Sequence, residues 1–131
     1  MASSLSLLHP EVHRRALRLL QDARRAGLRI MVTSTLRTFE EQDRLYRAWL
    51  ARGRTGLPAA PPGTSTHNYG VAIDLVSLDA GRLAELVHLA ECAGLKWAGT
   101  SDPVHFDVYG VEAWRAWLSG NDFPPTTGYH C

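Results

Sequence analysis

Apolar and polar positions alternate along the chain with two different periods. Between Pro10 and Ala26 the apolar residues Val12, Ala16, Leu19, Leu20 and Ala23 recur at helical spacing, with proline at the start and Gly27 just past the end, which predicts an amphipathic helix. The segment "LRIMVTST" (28–35) is rich in β-branched residues and sets Leu28, Ile30 and Val32 on one face, as a half-buried strand requires. Thr38 and Glu41 form a T-x-x-E capping box, and Leu45, Tyr46, Trp49 and Leu50 then read as the inward stripe of a second helix ended by Gly53. Pro58, Pro61 and Pro62, with Gly53, Gly56 and Gly63, make residues 53–66 a loop. Loops of that length inside a compact domain are usually functional or disordered.

A second strand is predicted over "VAIDLVS" (71–77), followed by a third helix over 80–93 with Asp79 as its cap and Gly94 as its stop. "LKWAG" (95–99) and "VHFDVYG" (104–110) read as two further strands, "VEAWRAWLSG" (111–120) as a short last helix, and the remaining tail as irregular. There is no internal repeat. This mixture of elements predicts an α+β fold: one domain spanning 1–131, with a small antiparallel sheet and flanking helices.

Composition narrows the classes of function. The chain has 131 residues, which is room for one ordinary domain and its core. Fourteen Lys plus Arg against thirteen Asp plus Glu leave a formal charge of +1, so no long-range field points to nucleic acid or a membrane surface. No apolar run approaches the roughly 18 residues of a membrane span, and the opening "MASSLSLLHPEVHRR" lacks the pattern of a secretory signal. A soluble monomer without membrane insertion is expected, cytoplasmic before release. Cys92 in a helical pattern and Cys131 at the end suggest two thiols and no disulfide framework.

Candidate chemistry comes from strand geometry. Side chains alternate across a strand, so Val71, Ile73 and Leu75 share one face and leave Asp74 on the other; in the last strand Val104, Phe106 and Val108 likewise leave His105, Asp107 and Tyr109 opposite. If these strands are neighbours, Asp74 and His105 lie side by side away from the core, with His67 reaching in from the loop. Two imidazoles and one carboxylate, with a fourth position left to water, describe a catalytic zinc site. Asp102, three residues before His105, is then near the metal and free to act as general base. The same residues also admit a plain reading, with His67 a polar loop residue, Asp74 a turn or cap partner and His105 an exposed strand residue.

The combination of "STHNYGVAIDL", "GLKWAGTSDPVHF" and the upstream "RTFEEQDRLY" resembles the zinc-dependent peptidoglycan peptidases of the M15 group, over about residues 28 to 109. The resemblance is nearest to the L-alanyl-D-glutamate endopeptidases of phage endolysins and bacterial wall hydrolases. It implies a hedgehog/DD-peptidase-like fold, zinc held by His67, Asp74 and His105, and Asp102 as catalytic acid/base. It also implies that Arg37 holds a substrate carboxylate or polarised carbonyl, where the alternative is a solvated arginine at a helix start. The partners it implies are the stem peptides of the cell wall. An aspartate at 102 looks like the endopeptidase branch, since the carboxypeptidase and dipeptidase branches carry glutamate. Two departures bear on substrate choice: "WAGTSDPVHF" is shorter than the family's usual loop, and Pro103 stands one place early.

The alternatives are a D-alanyl-D-alanine carboxypeptidase or dipeptidase, and a non-catalytic zinc-stabilised binding module. Ser65, Asn68, Tyr69 and Asp107 are candidates for orienting ligands, and Gly70 for a tight turn. Other histidines compete weakly. "HPEVH" has its glutamate one position late for a zinc-helix motif, His88 reads as a boundary residue, and His130 and Cys131 stand in the terminal "GYHC". Trp97, Trp114 and Trp117 are read as core aromatics.

Overall fold

The computed structural model describes residues 4–108 and Gly120. A short 3₁₀ turn (Leu5–Leu7) leads into α1 (Pro10–Arg25), followed by β1 (Ile30–Ser34), α2 (Phe39–Ala51), a second 3₁₀ turn (Thr66–Tyr69), β2 (Ala72–Ser77), α3 (Leu83–Cys92), β3 (Lys96–Trp97) and β4 (His105–Asp107). The four strands form one antiparallel sheet in the order β1-β2-β4-β3. The α+β class with a small antiparallel sheet and flanking helices is therefore as the pattern predicts.

The core is built by the faces that periodicity assigned. Val12, Ala16, Leu19 and Ala23 of α1 join Leu86 and Ala90 of α3 with Ile73, Leu75, Leu95, Phe106 and Val108 in one buried cluster. Pro10 opens α1 at a position where its missing N–H costs nothing, and His9 caps that helix by accepting the Glu11 N–H at Nδ1 (3.2 Å). This places His9 in a structural role rather than at a metal.

Three expectations are corrected. Asp79 does not cap α3, whose N-cap is Arg82 without a side-chain bond; its carboxylate instead accepts from the Arg29 backbone N–H (2.8 Å) and guanidinium (2.7 Å), tying the start of β1 to the turn after β2. The stripe Leu45, Tyr46, Trp49 and Leu50 of α2 does not join the core formed by the described residues, and the buried residue of that helix is Gln42. Cys92 is disulfide-bonded rather than a thiol. The predicted helix over 111–120, the tail, and with them Tyr109, Trp114, Trp117, His130 and Cys131 lie outside the described residues.

Candidate metal centre and active site

Neighbouring antiparallel strands place directly paired residues on the same face, and Asp74 of β2 is paired in register with His105 of β4. Their flanking residues Ile73 and Phe106 are fully buried on the core side, so Asp74 and His105 point to the opposite face. A bulge between Val32 and Ser34 in β1 breaks the register just where Ser34 meets Asp74. The chain leaving that bulge puts the Thr35 carbonyl against the ring of His67.

His67 is delivered by the Thr66–Tyr69 turn. Ser65 caps this turn by accepting the His67 N–H (3.2 Å), and Gly70 closes it in the left-handed conformation at φ 71°. A side chain at 70 would meet the His9 nitrogen at 3.1 Å and the Leu7 oxygen at 3.2 Å, so glycine is needed there both for conformation and for space. Asn68 staples the turn to the start of α2, donating to the carbonyls of Arg37 (2.9 Å) and Thr38 (3.3 Å) and accepting from the Gly63 N–H (3.1 Å). Tyr69 donates to the Gly63 carbonyl (2.7 Å). Ser65, Asn68 and Tyr69 thus act by fixing backbone.

His67, Asp74 and His105 offer one ligand atom each, all within 4.8 Å of one another. The Thr35 carbonyl only accepts, so His67 Nδ1 carries the proton donated to it (2.8 Å) and Nε2 faces Asp74 Oδ1 at 2.9 Å. His105 mirrors this arrangement: Nε2 donates to Asp107 Oδ2 (3.0 Å), leaving Nδ1 3.4 Å from the same Asp74 oxygen. Each ring is thereby held with its second nitrogen aimed at one carboxylate oxygen, a nitrogen that donates to Asp74 while protonated and offers a lone pair to an ion once deprotonated, and such orientation by outer partners is how metal-binding histidines are set. A cation between these three atoms satisfies the donor set, and two nitrogens with one oxygen fit the ligand chemistry of zinc.

The charges are consistent with that fit. Burial alone would push the Asp74 carboxyl up, yet hydrogen bonds from His105 and His67 and their charge hold it well below the usual carboxylate range. Burial likewise opposes a charged His105, but hydrogen bonds to Asp107 and Asp74 push its pKa up to about 9.

Arg37 and Asp102 line the same cavity of about 690 Å³ as the three ligand residues. Arg37 lies 3.8 Å from Asp74 Oδ2 and donates to Gln42 Oε1 (2.9 Å), so it is not a solvated helix-start arginine. Burial lowers its pKa, with Asp74, Glu41 and Asp102 opposing. Burial raises that of Asp102, against the positive charge of His105, His67 and Arg37. The turn carrying Asp102 is fixed by Trp97, whose indole N–H donates to the Pro103 carbonyl (2.8 Å), and by the His105 N–H bound to the Asp102 carbonyl (3.1 Å).

Gln42 is the residue that sequence reasoning passes over. It precedes Leu45, Tyr46 and Trp49 on the same face of α2, and a polar side chain within an otherwise apolar stripe was the available signal. His88 lies elsewhere, 3.6 Å from Cys92 Sγ.

The family model VanY, described as D-alanyl-D-alanine carboxypeptidase, matches residues 5–102. The chain belongs to the VanY family. The peptidoglycan L-alanyl-D-glutamate endopeptidase CwlK of Bacillus subtilis (strain 168) is 30% identical over 109 residues, which is 70% of this chain and 65% of that protein. The match therefore spans just under two thirds of the relative's length. Among solved structures, a variant of the vancomycin-resistance D,D-pentapeptidase VanY from a VanB-type cassette, in complex with Zn(II), superposes with a TM-score of 0.64 at 21% identity over 86% of this chain and 78% of the other. The L-Ala D-Glu endopeptidase ChiX of Serratia marcescens gives 0.58 at 21% identity, covering 86% of each chain. Both share the fold of this VanY-family chain.

Proposed function

We propose that this chain is a zinc-dependent endopeptidase that hydrolyses the L-alanyl-D-glutamate bond in peptidoglycan stem peptides and so acts on the cell wall. The observation that carries the reading is the pair of oppositely oriented rings, His67 through Thr35 and His105 through Asp107, both aimed at Asp74 beside Asp102 and Arg37. His67 Nε2, Asp74 Oδ1 and His105 Nδ1 would hold the ion. When bound, the ion supplies Lewis acidity, bringing the pKa of a water toward about 7 and polarising the scissile carbonyl.

The chain's own residues do the rest. Asp102 takes the proton of the attacking water and passes it to the leaving amine, and burial makes its carboxylate a stronger base than an exposed one. Arg37 stays cationic and is held by Gln42 at the cavity wall, where it steadies the carbonyl oxygen as negative charge develops on it. Asp107 and the Thr35 carbonyl keep the two imidazoles in the tautomers that leave their lone pairs free.

The test is a digest of purified cell wall read by mass spectrometry. New N-terminal D-glutamate, lost on chelation and restored by zinc, is the expected result; Asp102→Asn should lose about 10²–10⁴ in rate with zinc content unchanged. Full activity in Asp102→Asn or in His67→Ala overturns the reading. Released D-alanine instead supports the carboxypeptidase alternative, which the description of the matching family favours. Zinc binding without turnover of any muropeptide supports the non-catalytic module.

A further inference from the structure

The cavity continues from the metal centre along α2. It is also lined by Tyr46 and Trp49 of α2, by Arg52 at that helix's C-cap, and by Leu57 and Pro58 of the following segment. None of these five residues has a part in the chemistry above. Tyr46 and Trp49 lie three apart on one helix face, with ring centroids 6.3 Å apart and planes tilted by 43°. Among the described residues, none of α2 belongs to the buried core cluster. This aromatic stripe is therefore spent on a cavity wall rather than on packing the helix down. Leu57 is 63% exposed across from it, which is apolar surface that a ligand would cover.

Arg52 stands at the end of the wall. Its guanidinium makes one long bond, 3.4 Å to the Thr55 carbonyl, whereas Arg14, Arg29, Arg47 and Arg82 each have a carboxylate partner. Among the described residues no carboxylate is paired with Arg52. The facing segment is fixed in place, since Gln42 Nε2 donates to the Ala60 carbonyl (2.7 Å) and Thr64 to the Pro61 carbonyl (2.7 Å), with three prolines limiting the backbone. A preformed cavity with an apolar lining and a cation at one end suits a ligand with an aliphatic body and an anionic group.

Two components of the cell wall could reach here, the glycan and the peptide, and Trp49 discriminates between them. Sugar stacking needs an open ring face, but the Arg54 guanidinium lies 5.9 Å over the Trp49 ring and the indole N–H is buried. We propose that the α2 end of the cavity is a second substrate subsite for a carboxylate-bearing residue of the stem peptide. The carboxylate meets Arg52, and the aliphatic part lies on Tyr46, Trp49 and Leu57. This rests on the reading of the site as a stem-peptide hydrolase and deepens it by naming what selects the substrate at a distance from the scissile bond.

The test compares two synthetic tetrapeptides, L-Ala-γ-D-Glu-X-D-Ala, in which X is diaminopimelate with its side-chain carboxylate either free or amidated. Calorimetry on the zinc-loaded chain reads binding, and steady-state kinetics reads hydrolysis. The expected result is about a tenfold preference for the free acid, the effect of one charge-assisted hydrogen bond. That preference disappears in Arg52→Gln and is partly kept in Arg52→Lys. A wild-type chain that binds both peptides equally, or an Arg52→Gln variant that keeps the preference, overturns the proposal. So does a preference that requires the disaccharide, which would place sugar at this wall. If neither peptide is hydrolysed the assigned reaction fails, while the binding preference still decides the subsite.

Discussion

Gln42 is 1% exposed and both ends of its amide are in use: Oε1 accepts from Arg37 Nη1, and Nε2 donates to the Ala60 carbonyl. It joins Arg37 to the 53–66 segment, both of which line the cavity. Gln42→Leu keeps the volume and removes both bonds, leaving the Ala60 carbonyl without that donor. Urea unfolding should show a loss of about 1–3 kcal/mol, and KM for the stem peptide should rise, because Arg37 and the 53–66 segment lose their common support. A variant as stable as the parent with the same KM would show Gln42 to be dispensable. His105 carries a second prediction at this scale. Its pKa of about 9 in the metal-free protein lies above the roughly 6.5 of an unperturbed histidine. The stability it contributes is fully present below about 6.5 and is lost as pH rises through 9. A proton thus competes with the ion, so zinc affinity should climb with pH up to about 9 and flatten beyond it, and binding at pH 7 should release a proton. Calorimetry in buffers of different ionisation enthalpy measures that release. Affinity independent of pH between 6 and 9 would contradict the assigned role of His105 Nδ1.

Elements show where pattern reading reaches and where it stops. Periodicity finds α1, both long strands and the capping box of α2 because each is a local property: Thr38 and Glu41 exchange both bonds as spaced. The site was legible for a related reason. Period-two alternation alone turns Asp74 and His105 away from Ile73 and Phe106, and the direct register between them then brings the two together. What periodicity leaves open is which surface a stripe meets. The apolar face of α2 has the spacing of a core helix, but it borders a cavity, and only tertiary contacts tell the two apart. Asp79 fails for a similar reason, since an aspartate before a helix is a good cap until a long-range cation competes for it. Arg29, fifty residues earlier, takes the carboxylate with two guanidinium bonds and a backbone bond, and these hold its pKa down. A depressed carboxyl pKa gives stability that is present above the unfolded value and lost as pH falls through the folded one. Asp79→Asn should therefore be less stable than the parent at pH 7, and the two unfolding midpoints should converge as the pH falls below the ordinary carboxylate range. A constant difference across that range would mean that the carboxylate's charge is not what matters.

At the scale of the whole molecule the sheet separates two functions. One face carries the cluster of α1, α3, Ile73, Leu75 and Phe106, and the other carries the proposed ligands His67, Asp74 and His105 from three separate segments: the Thr66–Tyr69 turn, β2 and β4. The core face is complete without the ion, so chelation should leave the chain folded and cooperative. On the proposed ligation an ion would tie those three segments together only in the native state, so it should stabilise by mass action. At a free concentration about a thousandfold above Kd the gain is about 4 kcal/mol. Leu19→Ala probes the opposite face. Leu19 is fully buried on α1, and its truncation should cost about 2–5 kcal/mol. Because Leu19 lies in the buried cluster on the core side of the sheet and the three proposed ligands on the other, the two effects should add to within about 0.5 kcal/mol. Denaturant unfolding of parent and Leu19→Ala, each with zinc and with chelator, closes this cycle. Additivity is the result expected if the sheet keeps core and centre apart. A coupling above about 1 kcal/mol would mean that packing on the α1 face sets the ligand geometry through the strands, and that substitutions in the core would alter metal affinity directly.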